Sequence, residues 1–250
     1  MTNPIGQVLR PAVTAVLVIL ATWAPAFAEE KDPRAMSSEE FGAWVTYFYQ
    51  APKPGMIPAY IDKVHAEDFY RNNDLVTPAL GFLAARFALE PQAVEPALAQ
   101  AAGISKGDHV MTALAAYLGS PVGSPEYETA RHALEDVDEW NTIEWMANGG
   151  IRHIDDVDPL VPASLDFLWA AFFATGDVKY VDAIIPTLRH LQSKQPAEVV
   201  IGLAARWSMS SNARQHPLVL EECRRQIDAQ PPQIADALRE IVAKAQGSAN

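Results

Sequence analysis

The feature that most constrains this chain is the rhythm of its apolar residues. They recur at three- and four-residue spacing in short segments, most opened by a serine, threonine, aspartate or proline. Ser37 with Glu40 fits a capping box ahead of Phe41, Trp44, Val45 and Phe48, and Pro52 and Pro54 stop that segment. Met56, Tyr60 and Val64 carry a second. Thr77-Pro78 reads as an N-cap and first helical residue before Leu80, Leu83, Ala84 and Phe87. Pro91 opens a fourth segment closed by Gly103, Asp108 caps a fifth ending at Gly119, and Ser124-Pro125 opens a sixth. A shorter one surrounds Trp140, Ile143 and Trp145. Ser164 to Ala174 is the most apolar stretch, Val178 to Leu191 follows, and Pro196, Pro217 and Pro231 open the last three. Strict strand alternation is missing. The expectation is an all-α fold of about ten to twelve short helices in stacked antiparallel pairs, either solenoid-like or a curled helical bundle.

The first residues read as an address. Arg10 supplies a positive start, Ala12 to Trp23 is an uncharged apolar run, and Ala26-Phe27-Ala28 is the small-x-small pattern at which leaders are cut. The run is too short to span a hydrocarbon core of about 30 Å as a relaxed helix, so cleavage is the reading and retention as an anchor the alternative. The organisation expected is therefore a signal peptide over 1–28, a flexible mature N-terminus over 29–36, one helical domain over 37–246 and a flexible tail over 247–250. The mature chain is expected to be exported, periplasmic or secreted, and not membrane-spanning.

Composition then excludes whole classes. A single cysteine, Cys223, cannot make a disulfide scaffold, and a chain 49% apolar does not stay disordered. With 31 acidic against 19 basic side chains and a net charge of −12, a nucleic-acid partner is not expected.

Leu83-Ala84-Ala85-Arg86-Phe87 returns almost unchanged as Leu203-Ala204-Ala205-Arg206-Trp207, with looser copies at Leu114–Leu118 and Trp169–Phe173. Alanine-lined seams let helices approach closely, so the copies suggest degenerate α-hairpin stacking; alanine-rich helices also produce such matches by chance. Two stretches carry a likeness, Leu165-Asp166-Phe167-Leu168-Trp169-Ala170-Ala171-Phe172-Phe173-Ala174-Thr175-Gly176-Asp177 and Tyr47-Phe48-Tyr49-Gln50-Ala51-Pro52-Lys53-Pro54. They resemble an uncharacterised exported, all-helical family of Gram-negative bacteria. The resemblance implies export and helices and carries no catalytic residue. A more distant similarity is to tetratricopeptide proteins, through small residues and aromatics at a few positions.

No nucleophile elbow, zinc-binding helix, phosphate loop or dinucleotide fingerprint is present. Asp155, Asp156 and Asp158 beside His153 could hold a divalent cation, but lack the EF-hand spacing and read better as caps of a connection. Glu128, His132 and Glu135 share one helical face and read as charge pairing. His65, His109, His190 and His216 are scattered singly, as surface or helix-end residues. No catalytic residue, metal or cofactor is assigned.

The candidate partner groove comprises Trp44, Tyr47 and Tyr49, too many rings for one buried stripe, with Arg86 and Arg206, cations within otherwise apolar copies. Packing within the core and ion pairing within the fold are the plainer readings of these five. The arginines suit an anion or a carboxylate terminus. The function expected is a non-catalytic protein-interaction or scaffold module with a protein or peptide partner. Its alternatives are an envelope-polymer hydrolase using Asp155, Asp156 or Glu144, or a secreted effector or immunity-type protein steered to a basic partner.

Overall fold

The computed structural model describes residues 31–69, 73–135 and 151–247. The leader Met1 to Ala28, the segment around Trp140, Ile143 and Trp145, and Glu144 lie outside the described residues. Among the described residues there are eleven α-helices and no strand, so the fold is all-α.

Local chemistry sets the helix starts. Ser37 accepts from the Glu40 amide (3.2 Å) while Glu40 accepts from the Ser37 amide (2.7 Å), and this capping box opens α1 (Ser38–Tyr47). Lys31 adds an ion pair to Glu40 (2.6 Å), and that hydrogen bond, with the Ser37 amide, holds the carboxyl at about 2. A 3₁₀ turn (Phe48–Gln50) leads to α2 (Ile57–Ala66), onto which the preceding residues dock: Pro33 is buried and Lys63 donates to the Met36 carbonyl.

Two helices depart from the expected boundaries, each around a proline, and a third around its cap. The first of these, α3 (Asn73–Leu89), carries Pro78 inside rather than at its start. Proline removes one ladder bond, to the carbonyl of residue 74, which falls in the opening turn. The expected single helix from Val178 to Leu191 is instead α8 (Lys179–Ile184) followed by a 3₁₀ segment (Ile185–Gln192), because Pro186 cannot donate to continue the α ladder. Asp108 is not the cap of α5 (Lys106–Gly119). Ser105 is, and Asp108 sits buried in the first turn.

Between these lie α4 (Val94–Ile104) and α6 (Pro125–Glu135). After them come α7 (Pro162–Thr175), α9 (Pro196–Gln215), α10 (Pro217–Gln226) and α11 (Pro232–Gly247).

The core is one contiguous apolar cluster with α3 and α7 at its centre, the most extensive helix–helix seam among the described residues. Its tightness rests on Gly81, where a Cβ would lie 2.3 Å from the Phe167 carbonyl oxygen. A Cβ on Gly119 of α5 would likewise lie 2.2 Å from the Ala84 carbonyl oxygen of α3. Around this centre, helices adjacent in the chain pack on one another: α4 with α5, α5 with α6, α9 with α10, and α10 with α11. The seam between α3 and α7 joins elements far apart in sequence, which makes the molecule a curled bundle rather than an open stack. No helix among the described residues is long and apolar enough to cross a membrane.

Candidate interaction surface

The five candidate groove residues fall in three places. Trp44 and Arg86 flank one shallow cleft with Phe48, Met56, Tyr60 and Phe82. Its interior is about 10 Å³, room for a water molecule rather than a ligand. Trp44 stacks on Phe41 (5.7 Å) and meets Phe48 edge-on (4.9 Å). Arg86 is buried and fully engaged. Its guanidinium lies 5.0 Å from the Phe48 ring centre, donates to the Ala174 carbonyl at the end of α7 (3.1 Å) and pairs with Glu90. The other Glu90 oxygen takes the Gly55 amide (2.9 Å). This is a buried clamp across α3, α7 and the turn before α2.

Tyr47 and Tyr49 point the other way, to the corner between α9 and α10. Tyr47 donates to Gln215 (3.3 Å), and Tyr49, accepting from Gln50 (3.2 Å), shares a hydrogen bond with His216 Nδ1 (3.1 Å). His216 is wholly buried, ends α9 and precedes α10, and has Tyr47, Tyr49, Phe172 and Phe173 around it with ring centres 5.1–5.8 Å away. Burial holds its imidazole neutral, lowered to about 4, and its Nε2 has no partner among the described residues.

Arg206 stands apart, nine residues before Gln215 and so about 14 Å up the axis of α9. Its surroundings differ sharply from those of Arg86 in the matching copy. On α3, Leu83 and Phe87 are wholly buried; on α9, the equivalent Leu203 and Trp207 are 45% and 49% exposed, with Val200 at 53%. The inward face of α9, with Ile201, Ala205, Met209 and Asn212, packs on the Ile185–Gln192 segment, α10 and α11. Its outward face is therefore a row of large apolar side chains with Arg206 beside it and Arg214 exposed beyond. Val200, Leu203 and Trp207 lie about one turn apart on one side of the helix, a contiguous apolar strip rather than scattered single side chains.

The acidic groups considered for chemistry are engaged elsewhere. Asp156 accepts the Arg152 and His153 amides (3.0 Å each), and Asp155 pairs with Lys179 (2.9 Å), fixing the Ile154–Asp156 turn to the start of α8. Arg131 binds both Glu128 and Glu135 on the exposed face of α6, where His132 also meets Glu135. Among the described residues no group of three or more His, Cys, Asp or Glu side chains could hold a metal ion.

Two polar clusters escaped sequence reasoning because their members come from separate helices. Asp108 holds the Ser105 hydroxyl and His65 Nδ1 (2.9 Å). Asp182 of α8 meets buried Glu222 of α10. Burial, then the Glu222 carboxyl, raise Asp182 to about 6, while Arg225 and Gln226 keep Glu222 low against its own burial. Neighbouring Cys223 is wholly buried, and burial pushes its thiol up to about 12, an unreactive side chain.

No protein-family model, curated protein or solved structure matches the chain.

Proposed function

We propose that the protein is an exported, non-catalytic protein-interaction module that docks its partner through the outward face of α9. The observation that carries this reading is the exposed row of Val200, Leu203 and Trp207 on a helix whose other face is fully packed. Support for export is the leader-like Met1 to Ala28 and the likeness carried by Leu165 to Asp177. Support for a binding rather than a hydrolytic role is the commitment of Asp155 and Asp156 to caps and Lys179, and of Arg86 to Glu90.

The test is capture from a membrane-and-periplasm extract with the purified protein and its Leu203→Glu/Trp207→Glu variant. A defined partner retained by the parent chain and lost by the variant is the expected result. Retention that ignores the substitution, or recovery of no stable partner under mild conditions, overturns the proposal.

A further inference from the structure

The outward face of α9 has the register of a helix-pairing seam. Pro196, Val200, Leu203, Trp207, Ser210 and Arg214 follow one another at alternating four- and three-residue steps, with large apolar side chains at the second, third and fourth positions. The apolar part of the seam, Val200 to Trp207, rises about 10 Å, two turns of a partner helix, and Ser210 and Arg214 continue the same register as polar positions. Arg206 occupies the position that flanks such a seam, where charged residues select the partner.

The charge of this face is one-sided. Arg206 and Arg214 have no ion-pair partner among the described residues. The acid on α9, Glu198, lies off the seam and is held by Ser193 (2.5 Å) and His190 (3.2 Å). The strip's charge is opposite in sign to the chain's net charge of −12. A second copy of the strip would offer no acid to pair with Arg206 or Arg214, which disfavours self-pairing. A broad anionic bilayer would meet the repulsion of the acidic body around the strip, whereas a narrow helix touches the strip alone.

We infer that the partner presents an amphipathic helix with an apolar seam and acidic flanks, an inference that rests on the interaction-module reading above. The test titrates the purified protein with two synthetic three-heptad peptides, leucine at both seam positions and either glutamate or lysine at the flanks. Phosphatidylglycerol vesicles serve as a third probe. The glutamate peptide is expected to bind at least about tenfold tighter than the lysine peptide. Arg206→Glu should invert that preference, a result that mere loss of structure cannot give, and Leu203→Glu should abolish binding with an unchanged melting temperature. Equal affinity for both peptides, binding to neither, or binding to the vesicles alone overturns the inference. If extract capture still depends on Leu203 and Trp207 in that event, the interaction reading stands and only the acidic helix falls; if it does not, both fall.

Discussion

His216 shows how a single buried side chain ties stability to pH. Its neighbours are Tyr47, Tyr49, Phe172 and Phe173, and it is lowered to about 4 in the folded chain against about 6.5 unfolded. Between those values the unfolded chain binds the extra proton, so stability falls as pH drops through this window and the effect saturates below it. The loss attributable to this residue is about 3 kcal/mol. Chemical denaturation across pH 4–7 should show a slope in the parent chain that is reduced in His216→Gln. Parallel profiles would rule the residue out. The helix-end position of His216 was readable from Pro217 beside it; its burial was not, because the rings that enclose it come from α1, its following turn and α7. The same limit applies to Tyr47 and Tyr49. Ring crowding was visible in the chain, but only the fold shows that they turn to the α9–α10 corner while Trp44 turns to α3.

At the scale of elements, close helix approach makes opposite demands on two glycines. Gly81→Ala would drive a Cβ to 2.3 Å from backbone at the α3–α7 seam, and overpacking of this kind costs about 1–3 kcal/mol. Gly103 sits exposed near the end of α4 with nothing within 4 Å, so Gly103→Ala should stabilise by up to about 1 kcal/mol through helix propensity. Urea midpoints of the two variants should therefore move in opposite directions, and a shared direction would refute the seam as described. Helix starts were largely legible, since Ser37, Ser124, Pro196 and Pro217 act locally. Pro78 misled because proline also fits inside an opening turn, and the one-helix reading of Val178 to Leu191 passed over Pro186, where α gives way to 3₁₀.

For the whole molecule, the two Leu-Ala-Ala-Arg-aromatic copies set the central contrast. Local sequence makes both helical; what α7 covers and what nothing among the described residues covers makes one a core and the other a face. No reading of the repeated residues alone separates Phe87 from Trp207, since the difference lies in elements far away along the chain. The denaturant stability of Phe87→Ala beside Trp207→Ala tests this most directly. The expected loss is about 3–5 kcal/mol for Phe87→Ala, against a change within about 0.5 kcal/mol for Trp207→Ala. A comparable loss at Trp207 would make the outer side of α9 part of the packed interior, and the proposed docking face would not exist.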